Sequence, residues 1–327
     1  MDLYRKAMSI PGMIEEIEQK YLFDIARGLK LEKDDCLIEF GSFFGRSTFC
    51  ISEGAFKNPS LNKSNKLYAY DCFECHPEGG FYEALIFEVK RNKLEKYITK
   101  KGQFIDFSNI FSFYLKDYIK TDFIEVMKCD LNNSLPPKNK KVSFLHIDSP
   151  KFYEELKVIF EKFFPILKND AIVIFQDYFY HWSATIIASI QFLIIEGVVQ
   201  IQNSAASSLI TNIKQNIDLK KIETLNQNMK SLDFIIEMLD KAISNTNNFK
   251  IDRPQFFVPR LLLARFQLLW ENKLYDRASN FFINNVKKNK HLFNDMVIND
   301  FHEMMKKGFS IRENYEKDYV NKKQEIK

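Results

Sequence analysis

Residues 37–48 read Leu-Ile-Glu-Phe-Gly-Ser-Phe-Phe-Gly-Arg-Ser-Thr. An apolar run enters Glu39, and Gly41 and Gly45 then stand four apart ahead of a stretch with helical character. A strand that passes through a glycine turn into a helix confines the chain to α/β architectures. Gly41 allows a tight turn and a close ligand approach. The loop then delivers a ligand to the N-terminus of the next helix. The spacing is neither Gly-x-Gly-x-x-Gly nor Gly-x-x-x-x-Gly-Lys-Ser/Thr, which argues against a dinucleotide fingerprint and a P-loop. Alone, the motif reads equally well as a tight strand–helix turn, so its meaning depends on the rest of the chain.

Strand and helix signals alternate along the next 170 or so residues, at the spacing of α/β units. Residues 12–30, ahead of the first strand, have helical periodicity, with Met13, Ile14, Ile17, Tyr21, Ile25 and Leu29 on one face. Strands are predicted at Cys36–Phe40, Lys66–Tyr70, Phe123–Lys128, Val142–Ile147 and Ala171–Phe175. Helices are predicted at Arg46–Gly54, Phe152–Leu167 and 182–195, with a broken, helix-leaning segment over 80–120. Val198–Gln202 and Ser207–Ile213 read as a closing hairpin. Nearly all-apolar strands alternating with helices predict a doubly wound, mostly parallel seven-stranded sheet covered on both faces. Past residue 214 the strand signal stops. The expected division is a 1–214 sheet domain and a separable 215–327 all-α region, with a stripe at Phe256, Leu261, Leu262, Phe266, Leu269 and Trp270.

Composition narrows the function classes. A formal net charge of +4 and short lysine runs give no basic surface of the kind nucleic acid needs. The most apolar stretch, Ala184–Val199, is interrupted by Gln191, Glu196 and Gly197, so no membrane span is expected. Acidic residues lie where a secretory core would have to be, and five cysteines is an odd number. Both point to reduced thiols and a cytoplasmic home. Cys72-x-x-Cys75-His76 reads as ordinary loop residues, because no second cysteine pair exists to complete a zinc site.

In such a sheet, ligands sit beyond the carboxyl ends of the strands. Those ends carry Glu39, Asp71, Asp148 and Asp177. Buried carboxylates are costly unless paired, so packing alone explains four of them poorly. Asp71, beside the glycine loop, suits vicinal ribose hydroxyls. Asp148 and Asp177 suit Mg²⁺, which needs few carboxylates. His181 and His76 are candidate bases for a hydroxyl acceptor. His146, inside a strand, reads better as a core histidine.

These motifs resemble, in order, those of the macrocin-type sugar O-methyltransferases. The segment Leu37–Ser47 resembles the family's Glu-x-Gly-x-x-x-Gly-x-Ser loop, and Asp71-Cys-Phe-Glu-Cys-His-Pro77 its Asp-Ser-Phe-Glu-Gly-Leu-Pro. Cys129–Pro136, His146–Glu154 and Phe175–Tyr178 resemble three further motifs. The resemblance spans about 12–213. It implies a class I S-adenosylmethionine-dependent O-methyltransferase acting on a sugar, glycan or related small molecule. It also implies cofactor contacts at Glu39, Gly41, Ser42, Gly45, Ser47, Asp71, Cys72, Phe73 and Asp130, and a metal at Asp148, Gln176 and Asp177. With metal and cofactor in place, Asp148 joins the histidines as a catalytic candidate. Gln176 stands where the family has an acid, which weakens the expected Mg²⁺ site. A methyltransferase fold with weakened catalysis, serving an assembly through its helical tail, is the alternative. A homo-oligomer is compatible with either.

Overall fold

The computed structural model describes residues 3–215, 217–246 and 254–287. The helices are α1 (Leu3–Met8), α2 (Glu16–Gly28), α3 (Arg46–Phe56), α4 (Gly80–Arg91), α5 (Ser108–Lys120), α6 (Tyr153–Lys162), α7 (Ala184–Ile195), α8 (Leu219–Asn228), α9 (Leu232–Asn245), α10 (Pro254–Glu271) and α11 (Tyr275–Phe281). The strands are β1 (Asp35–Phe40), β2 (Leu67–Asp71), β3 (Glu74–Cys75), β4 (Thr99–Lys101), β5 (Phe104–Asp106), β6 (Ile124–Lys128), β7 (Lys141–Ile147), β8 (Leu167–Phe175), β9 (Val199–Ala205) and β10 (Ser208–Ile213). Seven of them form one sheet in the order β6-β2-β1-β7-β8-β10-β9, and β3, β5 and β4 form a small second sheet. Pairing is parallel from β6 through β8. Two residues, Ala206 and Ser207, join β9 to β10, a connection that makes a hairpin. The expected mostly parallel, seven-stranded, Rossmann-like sheet with helices in the C-terminal region is the observed architecture.

The chain divides into two compact units. One comprises Met1–Pro150, Lys157–Gln176 and Thr211–Asn216; the other comprises Lys151–Leu156, Asp177–Ile210 and the chain from Ile217 on. In the first, every residue of β1 is buried, and the strand lies between β2 and β7 with Glu39 directly across from His146. Its neighbours explain the long apolar runs, since a strand covered on both faces has no polar side to alternate with. Helix α3 packs on α2 through Gly54: a Cβ there would stand 2.3 Å from the Phe23 carbonyl oxygen. Phe40, Tyr70 and Phe163 form an aromatic cluster near the carboxyl ends of β1 and β2, with ring centroids 4.8–5.4 Å apart.

In the second unit, α7 is apolar on nearly all sides and buried from Ile186 through Leu193. A helix of this kind must be enclosed by others, and α9 and α10 pack against it. The stripe residues Leu261, Leu262, Phe266 and Leu269 are buried, and Trp270 stacks on Phe266. Phe256 and the tail after Asn314 lie outside the side chains and residues described. Among the described residues, no helix is long and apolar enough to cross a membrane.

Three segments differ from expectation. The 80–120 region holds two helices, but β4 and β5 lie between them. Thr99-Lys-Lys101 is wholly exposed, so no apolar alternation marks it as a strand. The helix predicted over Phe152–Leu167 ends at Lys162 and gives way to a one-turn helix at Phe164–Ile166 containing Pro165, which offers no backbone N–H. Strand β8 begins at Leu167, before the predicted Ala171. Its register against β7 shifts between Val142 and Phe144, and Asp170 at φ +61° belongs to this irregular strand.

Candidate functional site

Strand order reverses between β1 and β7, so the connections that leave these two strands depart in opposite directions and open a crevice at their carboxyl ends. Gly41 follows β1 at φ +87°. A Cβ on it would lie 2.7 Å from the Ser149 nitrogen and 2.9 Å from the Asp148 carbonyl carbon. The glycine is therefore required by the backbone beyond β7, which abuts it. Gly45, the N-cap of α3 at φ +95°, is pressed in the same way by Leu115 and Phe111.

Between the glycines, Phe43 adopts φ +46°, and Phe73 after β2 adopts φ +52°. A non-glycine residue in this region costs about 1–3 kcal/mol and persists only where its surroundings enforce it. Asp71 does so here. Its Oδ2 accepts the Phe43 N–H at 2.9 Å and its Oδ1 accepts the Phe73 N–H at 2.6 Å. One carboxylate thus latches the glycine loop to the connection after β2. Burial pushes its pKa above the ordinary carboxylate range, although the two N–H groups oppose this. Each oxygen accepts one of these backbone N–H groups, the Cys72 thiol is a third donor, and a carboxylate has about four lone-pair sites.

Beneath the latch runs a buried polar chain. Glu39, with no exposed surface, accepts hydrogen bonds from the Thr48 hydroxyl and from His146 Nδ1 at 3.0 Å. His146 Nε2 faces Gln176 Oε1 at 3.4 Å, and Gln176 Nε2 donates to Glu18 Oε1 at 2.8 Å. Burial pulls the Glu39 pKa up, but His146 and the hydroxyls of Ser47 and Thr48 hold it below the ordinary value. Burial pulls His146 down, but Glu39, with help from the Asp148 charge and Gln176, holds it above the ordinary value. Both shifts favour the charged forms, which the two groups satisfy mutually.

The remaining predicted site residues have varied surroundings. Ser42 is buried, and its hydroxyl has no partner among the described residues; the same holds for the Ser149 hydroxyl after β7. Ser47 is buried at the start of α3, against Glu39. The Cys72 thiol donates to the Glu74 carbonyl at 3.2 Å. Phe73 is fully buried, edge-on to Phe107. Asp130 caps the one-turn helix Leu131–Asn133 by accepting the Asn132 N–H. His76 meets the edge of Phe104 and lies 3.9 Å from Glu78. Asp148 follows β7, and its N–H donates to the Phe40 carbonyl at 2.8 Å. His181 belongs to the second unit, where it lines a cavity with α10 residues. Burial, and then the Arg260 charge, push its pKa down to about 4.

The expected metal donors do not fit a divalent ion. Asp177 is ion-paired with Lys151 at 2.9 Å. Gln176 turns its carbonyl to His146 and its amide nitrogen to Glu18. Among the described residues, no three histidine, cysteine, aspartate or glutamate side chains form a metal-binding group. The sequence places acids at neighbouring strand ends, but it does not reveal that Lys151 answers one of them. Nor does it reveal Glu18, Thr48 and Phe43 as parts of the corner. The Glu39–His146 pair had a signal, since aligning β1 with β7 sets the two residues opposite one another.

The sheet order, the glycine turn after β1 and the acid ending β2 together define a Rossmann-like methyltransferase fold. Residues 38–178 match a family model described as a methyltransferase domain. An uncharacterised protein, y4gI of Sinorhizobium fredii, is 23% identical over 141 residues, which make up 43% of this chain and 13% of that protein. The chain thus spans only a small part of that relative's length. Among solved structures, the O-methyltransferase NovP is 12% identical, with a TM-score of 0.41 over 61% of this chain and 78% of its own. CalS11, a TDP-rhamnose 3'-O-methyltransferase of calicheamicin biosynthesis, is 15% identical, with a TM-score of 0.34 over 64% of this chain and 75% of its own. The methyltransferase PaMTH1 of Podospora anserina, solved with S-adenosylhomocysteine, is 10% identical, with a TM-score of 0.42 over 65% and 86%.

Proposed function

We propose that the chain is an S-adenosylmethionine-dependent O-methyltransferase acting on a hydroxyl of a sugar or glycan. The observation that carries this reading is the Asp71 latch across the glycine loop at the switch point, within the span that matches the methyltransferase-domain model. The residues there fit the cofactor. Asp71 keeps acceptor capacity for ribose hydroxyls, and the buried Ser42 and Ser149 hydroxyls have no protein partner among the described residues. When bound, the cofactor supplies an electrophilic methyl sulfonium. The chain's own contribution is alignment: a loop fixed by Asp71 and a crevice narrowed where Gly41 meets Asp148–Ser149. Of the three candidate bases, Asp148 is the one whose backbone abuts the glycine loop, so we assign it the acceptor's proton. The motif resemblance supports a sugar hydroxyl as acceptor and residues 1–214 as the methyltransferase domain, and the odd number of cysteines supports the cytoplasm as the place of reaction. The engaged Asp177 and Gln176 favour a second reading, a methyltransferase-fold protein with weakened catalysis.

Calorimetry with S-adenosylhomocysteine tests the reading. Asp71→Ala should weaken binding tenfold or more, since charge-assisted bonds are worth about 1.5–3 kcal/mol each. Unchanged affinity in a folded variant would sink the cofactor assignment.

A further inference from the structure

The cavity between the His181–Ser183 turn and α10 plays no part in the cofactor corner. Three residues of its wall carry a buried polar atom with no hydrogen-bond partner among the described residues: His181 Nδ1, Trp182 Nε1 and Gln267 Oε1. Buried polar groups are nearly always paired, so three orphans around one space call for a guest. The Gln267 amide is oriented by Glu271, whose Oε1 accepts from Gln267 Nε2 at 2.6 Å, and this fixes Oε1 as an acceptor. The indole N–H can only donate. His181 is neutral at pH 7, so its ring nitrogen serves in either sense. One fixed donor, one fixed acceptor and one adaptable group match a hydroxyl, which both gives and receives. An anion would meet the Gln267 carbonyl oxygen and the Glu271 carboxylate. The cavity's volume is about 10 Å³, which admits one hydroxyl-sized group. Beside it, Trp182 stacks on Tyr180 at 4.2 Å, and the Arg260 guanidinium lies 4.4 Å over the Tyr180 ring. These contacts make a braced aromatic surface of the sort against which an apolar sugar face can rest.

We propose that this cavity is a saccharide subsite, which takes one neutral pyranose hydroxyl between Trp182, Gln267 and His181. The choice of a sugar over other hydroxyl compounds rests on the proposed glycan acceptor. The test uses the full chain and methyl α-pyranosides of glucose, galactose, mannose and rhamnose. Binding is read from the indole N–H resonances of the two tryptophans, Trp182 and Trp270. At least one glycoside should move the Trp182 resonance saturably and leave Trp270 in place. Calorimetry should show that affinity falls about tenfold in Gln267→Leu. It should fall similarly in Trp182→Phe, which keeps a smaller aromatic ring and removes the indole N–H. If no glycoside moves Trp182, and its proton shows a nuclear Overhauser effect to water alone, the cavity is a hydration site and the proposal is overturned. S-adenosylhomocysteine added to the same sample separates the two readings. Cofactor binding without sugar binding sinks the subsite alone, and sugar binding without cofactor binding sinks the cofactor assignment and leaves the subsite standing.

Discussion

His146 and His181 are both withdrawn from water, yet their pKa values are shifted in opposite directions. His146 lies against the Glu39 carboxylate, and its pKa is raised; His181 has Arg260 for a charged neighbour, and its pKa is pushed down to about 4. Desolvation lowers both. The difference comes from the partner. Both ring nitrogens of His146 are answered by protein atoms, while His181 keeps one that is not. The first arrangement is what a framework uses to fix its own geometry. The second leaves recognition capacity open.

The comparison breaks most visibly on deletion. His146→Leu would leave Glu39 as an uncompensated buried charge and should cost about 3–5 kcal/mol of stability in urea unfolding at pH 7. His181→Leu should cost far less, since it removes a neutral ring that answers no charge. Equal losses would mean that the two histidines play the same part. Gly41→Val comes next, at about 2 kcal/mol or more, because φ +87° and the Ser149 backbone both oppose a side chain. The same variant should lose S-adenosylhomocysteine binding, and an unchanged urea midpoint would show that the crevice is not closed at Gly41.

The pH dependence sharpens the contrast. His146 has a raised folded pKa, so its stabilisation is complete below its unfolded value of about 6.5 and is lost as pH rises through the folded value. Glu39 has a depressed folded pKa, so its stabilisation is complete above about pH 4.3 and is lost as pH falls through the folded value. The pair should therefore support the fold most between those limits. Subtracting the urea midpoints of His146→Gln from those of the unaltered chain across pH should trace that plateau. His181 has the opposite sign: its depressed pKa contributes stability above about pH 6.5 that is lost as pH falls toward 4. The smallest effect concerns Lys151. It and Asp177 are only partly buried, so Lys151→Ala should cost no more than about 1 kcal/mol. With that pair intact, adding Mg²⁺ should leave the melting temperature where it was. A rise would restore the metal site that the Lys151 contact argues against.

The large sheet was readable because its central strands are buried on both faces and announce themselves as apolar runs. β1, β2, β6 and β7 fall within a residue of their predicted bounds. The small sheet was not, since Thr99-Lys-Lys101 is polar and exposed and pairs for reasons local composition does not record. At the site, the residues standing at strand ends could be named in advance, but their partners could not. Asp71 was expected to face a ribose, and it is found holding the amides of Phe43 and Phe73, which no pattern of residue types foretells. Glu18 and Gln176 meet across most of the sheet unit's sequence, and such a contact exists only once the chain has folded.

That last contact bears on how the protein is made. Glu18 caps the start of α2 and also receives the Gln176 amide from 158 residues further along the chain. On the ribosome, the N-terminal helix leaves the tunnel with its acid exposed, and Glu39 emerges later, still without His146. Domains tend to form as units once their sequence is complete. The corner beneath the glycine loop can therefore lock only after β8 has emerged. A nascent chain arrested before residue 146 should carry Glu18 and Glu39 without Gln176 and His146, a stage at which a chaperone would find it open.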